Sequence, residues 1–343
     1  MNLIKRIAGG IAAAAFFYTT AQAAEVTLTV HHFMSPKGSA QTVLIGPWAN
    51  KIQADSKGRI EVKIFPSMSM GGKPPELYRQ VRDGVADIVW TLPGYTPGVF
   101  PRSEVFELPT VHRGSAQATN QAIQENFALI ADDFRDVHPI LIHVHAGNAL
   151  HMVSKEIQTI ADVKGLKFRT PSRTGSWMLQ AWGAEPVGMP LPALPQALSK
   201  GTVDGALVPF EVFPPLKFYQ LTKNSYEGED LSRFGTSVFL FAMNKDRYNS
   251  LPVDLKKVID DNSGAALAAT VGESWDKIEA PGKLMQAKSK GGSVVKLNKL
   301  VKDTFDAKNQ AVIERWISEM TTLGIDGVAL VKSARASVDK FSK

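Results

Sequence analysis

The fold of this chain is indicated by one stretch of sequence, Asp162-Val163-Lys164-Gly165-Leu166-Lys167-Phe168-Arg169-Thr170-Pro171. Leu166 and Phe168 alternate with polar residues, which predicts a short strand over residues 166–169. Arg169 closes that strand, and α/β sheets bind their ligands at the carboxyl ends of strands. A guanidinium group at such a position can hold a carboxylate through two parallel hydrogen bonds. The alternative is a structural salt bridge between Arg169 and a nearby acid.

Strands and helices alternate along the rest of the chain. Ile60, Val62 and Ile64 alternate with charged residues, as expected for a half-buried strand. Strands are also predicted over residues 26–31, 59–65, 86–91 and 203–207, and helices over residues 176–182, 194–200 and 301–320. This order is typical of α/β folds, in which helices cover a mostly parallel sheet.

The chain of 343 residues is longer than one compact core usually fills, which favours two domains. A helix end, a glycine and a strand that opens with aspartate occur once in each half, at Gly84–Asp87 and again at Gly201–Asp204. No low-complexity linker separates the halves, so we expect the lobes to exchange strands. We assign residues 24–147 plus 235–278 to lobe I and residues 148–234 plus 279–343 to lobe II. Crossings are expected near Gly147 and residues 233–235, with a long helix over 265–278 bracing both lobes.

The first residues have the pattern of a secretory signal peptide. Lys5 and Arg6 precede an uncharged apolar run over residues 7–18, and Ala21-Gln22-Ala23 is a small–x–small cleavage pattern. The run is shorter than the roughly 20 residues that span a bilayer. We therefore expect residues 1–23 to be removed on export and the mature protein to be periplasmic.

The composition excludes several classes of function. The chain has no cysteine, which excludes disulfide scaffolds, thiolate catalysis, cysteine-ligated zinc and iron–sulfur clusters. The formal charge of +6 falls to +4 once Lys5 and Arg6 are removed, and basic residues are not interleaved with aromatic ones. Nucleic acid is therefore not an expected partner. No nucleotide-binding or nucleophile-elbow motif is present, and we expect no cofactor.

The histidines leave one alternative open. His143 and His145 occupy alternate positions of a strand, so their side chains share one face and could build a metal site. No acidic cluster lies nearby in the sequence. We favour structural histidines that bond to backbone or water, and no metal.

Several short motifs follow one another in a fixed order along nearly all of the mature chain. They are Gly58-Arg59-Ile60-Glu61-Val62, Gly84-Val85-Ala86-Asp87, Phe106-Glu107-Leu108-Pro109, the stretch from Gly165 to Pro171, Gly183-Ala184-Glu185-Pro186-Val187, Ala197 to Gly205, and Leu251-Pro252-Val253-Asp254-Leu255. In this order and spacing the chain resembles the substrate-binding proteins of tripartite ATP-independent periplasmic (TRAP) transporters, the DctP-type family.

The resemblance implies a two-lobed α/β protein with a periplasmic-binding-protein-like fold. Such a protein closes on a small organic acid and passes it to membrane permease subunits. The resemblance also implies that Arg169 pairs with the ligand carboxylate. No bond is broken in this process, so we expect no enzyme activity and no catalytic residue. We expect the protein to act as a monomer.

The chain departs from the pattern of family members that bind sialic acid or dicarboxylates. Ala206-Leu207-Val208-Pro209 stands where such members have Gln-Glu-Asn-Pro, and no second arginine lies near Asn148. An unpaired second carboxylate or hydroxyl would cost roughly 1–3 kcal/mol or more to bury in such a site. We therefore expect an aromatic or branched monocarboxylate, and a 2-oxo or 2-hydroxy acid is compatible with this site.

The candidate ligand contacts around Arg169 fall into two groups. The apolar walls are expected from Phe33, Met34, Trp90, Leu92, Trp177, Val208 and Phe239. The hydrogen-bonding groups are expected from Thr91, Asn148, His151, Ser172 and Arg173. Core packing is the alternative role of each aromatic residue. Thr236 and Ser237 precede Phe239 on a strand that can border the same cleft.

Two other functions stay open at this point. One is an exported enzyme that acts on a small carboxylate, which would need an acid/base pair within hydrogen-bond reach of its substrate. The proposed cleft offers no convincing pair. The other is a binding protein for a different transporter class or for a sensor.

Overall fold

The structure is a computed structural model that describes residues 24–342, so the expected signal peptide lies outside the described residues. The strands are β1 (Val26–His32), β2 (Ile60–Phe65), β3 (Ile88–Thr91), β4 (Val137–Val144), β5 (Ala149–Met152), β6 (Lys167–Thr170), β7 (Glu185–Gly188), β8 (Gly205–Val208), β9 (Asn224–Gly228), β10 (Val238–Asn244) and β11 (Ser293–Leu297). The helices are α1 (Gly46–Asp55), α2 (Leu77–Arg82), α3 (Ala116–Glu125), α4 (Phe127–Ile130), α5 (Arg173–Ala181), α6 (Leu194–Ser199), α7 (Phe213–Leu216), α8 (Lys245–Asn249), α9 (Val253–Asp261), α10 (Ala265–Lys277), α11 (Glu279–Lys288), α12 (Lys299–Thr322) and α13 (Gly327–Phe341). Within residues 24–342, none of these helices has both the length and the apolarity needed to cross a membrane.

The strands form two sheets, one in each lobe. The first has the order β2-β1-β3-β10-β4 and the second β11-β9-β5-β8-β6-β7. β2, β1 and β3 run parallel, as do β8, β6 and β7. Each sheet also contains one strand that is antiparallel to both neighbours, β10 in the first and β5 in the second. The predicted two-lobed α/β class is confirmed, and the two sheets are mixed.

The hydrophobic pattern explains the first pair of strands. Val26, Leu28 and Val30 are buried, and they pair in register with Ile60, Val62 and Ile64 of β2. Ahead of α1 the chain forms a π-helical turn over residues 40–45. Proline at position 47, near the start of α1, lacks an N–H group and so removes one regular helical hydrogen bond.

The chain crosses between the lobes at two adjacent points. Gly147 leads from β4 into β5, Gly235 leads back towards β10, and their φ angles are +98° and +68°. The Asn148 N–H donates to Gly235 O at 2.8 Å, and the Phe234 N–H donates to Asn148 O at 2.8 Å. β5 and β10, the antiparallel strands, are thus the first strands after each crossing.

A buried ion network braces these crossings. Arg233 Nη1 donates to Gly147 O at 3.2 Å and lies 2.9 Å from the Glu279 carboxylate. Arg233 Nε lies 3.3 Å from Glu227. The three charged side chains are almost fully buried. Because each charge has an opposite charge beside it, the network avoids the cost of an isolated buried ion.

Two consecutive helices join the lobes a third time. α10 packs against α3, and α11 packs against α7, with a break at Ile278 between them. Pro281 explains the break, because its ring lacks an N–H and clashes with the carbonyl four residues earlier. The bracing helix expected over residues 265–278 is therefore the first of a pair.

One expected lobe boundary needs correction. We assigned residues 279–343 to lobe II, but α13 packs against α3 of lobe I, whereas α12 packs against α5 of lobe II. Gly324, with φ of +71°, lies in the turn that reverses the chain between α12 and α13. The buried Asn126 then donates from Nδ2 to Ser337 Oγ at 2.8 Å, which fixes α13 to lobe I.

Replacing Gly147 with alanine is expected to destabilise the fold. An added Cβ would lie 2.6 Å from Arg233 Cβ and 2.8 Å from His112 Nε2, and the positive φ is unfavourable for any residue with a Cβ. We expect a loss of about 3 kcal/mol in the free energy of unfolding, from roughly 1–2 kcal/mol of backbone strain and the remainder from overpacking. Urea denaturation measures this difference.

Gly165→Ala is the matched control for that substitution. Its φ is +71°, but nothing lies within 4 Å of an added Cβ. This variant should lose only the backbone term, about 1 kcal/mol. Equal losses in the two variants would show that close packing at the crossing is not what requires glycine at position 147.

Candidate functional site

Arg169 lies at the end of β6, and its side chain is buried, with 3% of its surface exposed. Backbone carbonyls hold two of its three nitrogens: Nε donates to Met189 O at 3.0 Å, and Nη1 donates to Leu207 O at 3.4 Å. Nη2 is buried and has no hydrogen-bond partner among residues 24–342. The guanidinium group is therefore fixed in position by the backbone, while one of its donor nitrogens stays unbonded within the described part of the chain.

Among the described residues, Arg169 differs from two other arginines near the junction of the lobes, the partly buried Arg173 and the buried Arg233, in having no acidic partner. Arg173 binds Glu104 through Nε and Nη2, both at 2.6 Å, and Arg233 pairs with Glu279. Within residues 24–342 no carboxylate pairs with Arg169, so the salt bridge considered as its alternative role is not formed. Burial lowers the pKa of Arg169, but arginine stays protonated in proteins. The site thus contains a buried cation without an anion.

Arg169 faces a small cavity between the lobes. Lobe I contributes Phe33, Met34, Trp90, Leu92, Tyr95, His145, Ser237 and Phe239. Lobe II contributes Asn148, Arg169, Pro171, Leu191, Val208, Pro209, Glu211 and Val212. Because both lobes supply its walls, a bound molecule would contact both and stabilise their approach.

Lobe I presents a stack of aromatic rings to this cavity. Trp90 is stacked between Phe33 and Phe239, with ring centroids 5.1 and 4.6 Å apart. The Trp90 indole N–H donates to His143 Nε2 at 2.9 Å. Since the only polar atom of its side chain is already bonded, Trp90 adds apolar surface to the cavity wall together with Phe33 and Phe239, and this wall suits another aromatic ring.

A tyrosine hydroxyl stands next to the guanidinium group. The Tyr95 oxygen accepts a hydrogen bond from the Leu191 N–H at 2.9 Å and lies beside Arg169. Burial raises the pKa of Tyr95, so the phenol keeps its proton at neutral pH. With its oxygen occupied as an acceptor, Tyr95 can donate that proton to a ligand oxygen.

The cavity gathers eight of the candidates named from the sequence, together with Ser237. They are Phe33, Met34, Trp90, Leu92, Asn148, Arg169, Val208 and Phe239. They come from segments far apart in the chain. They meet because the carboxyl ends of β1, β3, β6 and β8 and the starts of the antiparallel strands β5 and β10 lie at the junction of the lobes.

Two strand candidates, Thr91 and His151, do not line the cavity. Thr91 follows Trp90 on β3, and consecutive side chains of a strand point to opposite faces. His151 Nε2 donates to Val208 O at 3.0 Å, and its Nδ1 accepts from Ser225 Oγ at 2.7 Å. Burial lowers the pKa of His151 to about 3. It is a neutral core residue with both nitrogens bonded.

The three candidates at the start of α5 also lie outside the cavity. Ser172 caps the helix by accepting from the Gly175 N–H. Arg173 is bound to Glu104. Trp177 lies between two guanidinium groups, those of Arg173 and Arg315, whose carbons are 4.9 and 4.2 Å from the ring centroid. These residues face the neighbouring helix α12 and the first lobe.

Sequence reasoning missed several residues that line the cavity. They are Tyr95, His145, Pro171, Leu191, Pro209, Glu211 and Val212. Pro171 and Pro209 each follow the last residue of a strand, β6 and β8. The rule that selected Arg169, proximity to the carboxyl end of a strand, would have selected both.

The histidines do not form a metal site within the described chain. Among residues 24–342 no group of three or more histidine and acidic side chains could hold a metal ion. His143 accepts from Trp90, and His145 Nδ1 accepts from the Gly147 N–H at 3.0 Å. Burial lowers the pKa of His143 to about 3 and holds the pKa of His145 well below its usual value. Both histidines are neutral.

The family to which the chain belongs follows from comparison with known proteins. The sequence profile described as bacterial extracellular solute-binding protein, family 7 (DctP), matches residues 31–319. The chain belongs to this family. The resemblance to TRAP solute-binding proteins is therefore confirmed. Members of family 7 are solute-binding receptors, which fits the expectation that this protein is not an enzyme.

Two solved structures of family 7 proteins are similar to this chain over nearly its whole length. One is a TRAP solute-binding protein from an unidentified marine microbe, specific for aromatic acid ligands and bound to 3-hydroxybenzoate. It has 42% identity and a TM-score of 0.90, and the match covers 94% of this chain and all of that one. The other, from Rhodoferax ferrireducens, contains copurified benzoate. It has 41% identity and a TM-score of 0.89, with 92% and 98% covered.

Another relative is less similar to this chain than the two solved structures are. The outer membrane transporter protein TsaT of Comamonas testosteroni is 25% identical over 321 residues, which cover 92% of each chain. The solved structures therefore provide the closer comparison for the site.

Beside the cavity, two acidic residues of lobe I bind the start of α5 in lobe II. Glu104 pairs with Arg173, and Glu107 Oε2 accepts from the Thr174 hydroxyl at 2.9 Å. Glu107 Oε1 accepts from the Val238 N–H at 2.9 Å. Burial raises the pKa of Glu107 to about 7, although these hydrogen bonds favour the ionised form. The contact between the lobes thus includes a carboxyl group that titrates near neutral pH.

Glu107→Gln is expected to change how stability depends on pH. From about pH 4.5 to 7 the folded wild type keeps a proton on Glu107 that the unfolded chain has lost, so its stability falls as pH rises. The variant lacks this titration. Between pH 5 and 8 its free energy of unfolding should gain on the order of 2 kcal/mol relative to wild type. Urea denaturation at several pH values measures the difference.

The exposed Glu185 offers a control, Glu185→Gln, for the loss of one negative charge. Its pH profile should run parallel to that of the wild type, whereas the profile of Glu107→Gln should diverge. Three parallel profiles would mean that Glu107 does not carry a proton in the folded protein at neutral pH.

Proposed function

We propose that this protein binds an aromatic monocarboxylate between its lobes and delivers it to the membrane permease subunits of a TRAP transporter. One observation carries the proposal: Arg169 is a buried cation with no acidic partner among the described residues, and it faces an aromatic-walled cavity. An organic anion with one carboxylate and one ring matches both features.

The carboxylate would bind at the Arg169 end of the cavity. Nη2 can donate to one carboxylate oxygen, and the Tyr95 hydroxyl can donate to the same group. Each hydrogen bond to a charged group contributes roughly 1.5–3 kcal/mol. Since Arg169 is the only arginine or lysine that lines the cavity within the described chain, one carboxylate is accommodated and a second is not.

The ring would bind against Trp90 and the apolar residues around it. Aromatic groups bury about 150 Å² or more, and apolar burial yields roughly 25 cal/mol per Å², or about 4 kcal/mol for the ring. Stacking or edge-to-face contact with the rings that line the cavity adds about 0.5–1.5 kcal/mol. A branched aliphatic acid would gain the burial but not the stacking, so aromatic acids are favoured.

The solved relatives support the same ligand class. Two proteins that share 41–42% identity with this chain hold 3-hydroxybenzoate and benzoate. Each of these ligands has one carboxylate on one aromatic ring, as the charge and the walls of the cavity require.

Delivery to a permease depends on export and on closure of the lobes. We propose that residues 1–23 direct export, that the mature monomer works in the periplasm, and that the lobes rotate about the crossings at Gly147 and Gly235. A ligand that contacts both lobes stabilises the closed arrangement. The permease subunits would then recognise the closed form.

Arg169→Ala is expected to abolish binding without loss of the fold. Losing the charged hydrogen bonds should weaken the affinity for benzoate at least about 100-fold. Because the substitution also removes an unpaired buried charge, the variant should be no less stable than wild type without ligand. Isothermal titration calorimetry measures the affinity, and thermal unfolding measures the stability.

Arg82→Ala removes an exposed arginine that pairs with the adjacent Asp83 and serves as the control for net charge. It should bind benzoate as wild type does. Wild-type affinity in Arg169→Ala would overturn the site. Stabilisation of the wild type by dicarboxylates alone, with no effect of benzoate, would overturn the ligand class.

A further inference from the structure

The cavity contains an acidic side chain that carboxylate binding does not use. Glu211 lies in the turn Phe210–Val212 that follows β8, and 6% of its surface is exposed. Its backbone N–H donates to Glu279 Oε1 at 2.9 Å. α11 approaches this turn closely, because Gly282 has no side chain where it meets the Phe210 backbone. Glu211 is therefore held firmly in the wall of the cavity.

The Glu211 carboxyl group lies beside two other buried polar side chains. Its Oε2 atom is buried and has no hydrogen-bond partner among residues 24–342. Ser39 and Trp275 lie next to this carboxyl group, and the Ser39 Oγ and Trp275 Nε1 atoms are likewise buried without partners there. An unsatisfied buried polar group costs roughly 1–3 kcal/mol, so a hydrogen-bonding ligand group at this corner would be favoured.

The charge state of this corner is neutral at pH 7. Burial, followed by repulsion from Glu279, raises the pKa of Glu211 to about 8, and the neighbouring Ser39 and Trp275 only partly offset this rise. The nearby cation, Arg233, is paired with Glu279. A protonated carboxyl group can both donate and accept a hydrogen bond.

A ligand that binds Arg169 through its carboxylate therefore also lies near the Glu211 carboxyl group, which lines the same cavity. A second ligand carboxylate would have no cation to pair with there, because Arg169 already binds the first, and a bare C–H edge would leave the Glu211 oxygen unsatisfied. A hydroxyl group satisfies it, because it donates one hydrogen bond and accepts another.

We infer that Glu211 is a specificity-determining residue that hydrogen-bonds a ring hydroxyl of the bound aromatic acid. This inference rests on the proposed function and makes it narrower: the preferred ligands are hydroxylated aromatic monocarboxylates. The acidic corner also discriminates against aromatic dicarboxylates.

The test compares ligand preference in wild type, Glu211→Met and Glu211→Gln by isothermal titration calorimetry at pH 7. The ligands are benzoate, its 2-, 3- and 4-hydroxy isomers, 3-aminobenzoate and benzene-1,3-dicarboxylate. Methionine fills the same volume without hydrogen-bonding groups, whereas glutamine keeps a neutral donor and acceptor. Thermal unfolding shows whether each variant is folded.

We expect wild type to bind one hydroxybenzoate isomer about 10-fold more tightly than benzoate, the effect of one hydrogen bond. Glu211→Met should lose this preference, so that it binds the hydroxybenzoate isomer and benzoate about equally. Glu211→Gln should keep the preference. Above pH 8, ionisation of the carboxyl group should weaken the binding of all these ligand anions to wild type, through repulsion of their carboxylates, but not to Glu211→Gln.

Each other outcome overturns a stated claim. An unchanged hydroxyl preference in Glu211→Met would overturn the role of Glu211. Tighter binding of the amino compound than of every hydroxy isomer, or no preference at all in wild type, would overturn the inference while benzoate binding upholds the proposed function. Failure of wild type to bind any of these aromatic acids would overturn both.

Discussion

A guanidinium group removed from water must find an opposite charge, and this requirement organises the protein. The buried Arg233 meets it through Glu279, and the partly buried Arg173 is paired with Glu104. Arg169 meets it nowhere among the described residues, although two backbone carbonyls fix its orientation. A charge that is held rigidly but left uncompensated is stabilised strongly by an incoming anion, because the structure has already borne the cost of removing water from it. The rest of the cavity then decides which anions fit.

The arginines that are paired with acidic residues and the one that is not have different roles. The paired arginines join elements: Arg233 ties the crossings together, and Arg173 links lobe II to lobe I across the interface. The unpaired arginine faces the ligand. Since Arg173 and Thr174 follow the strand that carries Arg169 by only a few residues, the anion site and the contact between lobes share one short segment. Ligand binding at Arg169 and closure of the lobes therefore involve the same segment of the chain.

Local patterns predicted the strands and the position of Arg169 well, because both depend on short-range periodicity and on the direction of the strand. Val26, Leu28 and Val30 alternate as a buried strand face must. The partners of Arg173, by contrast, are 69 and 146 residues away in sequence. No local pattern could distinguish an arginine that will be paired from one that will not. His151, Ser172 and Trp177 were misplaced for the same reason, since packing between distant segments decides where their side chains lie.

The role of Glu211 also could not be predicted from the local sequence. It follows a strand end in an otherwise apolar run, where an acid has no obvious role, and its effect depends on Glu279, 68 residues further along. The packing of lobe I also depends on segments that are distant in the sequence, the C-terminal helices. Lobe I is completed by α10 and α13, so its packing on α3 waits for residues at the very end of the chain. The N-terminal lobe therefore cannot reach its final packing early in synthesis, as an independent N-terminal domain would. Without α10 and α13, the α3 side chains that these helices cover would stay exposed to water, so the folding of lobe I is coupled to the folding of the C-terminal segment.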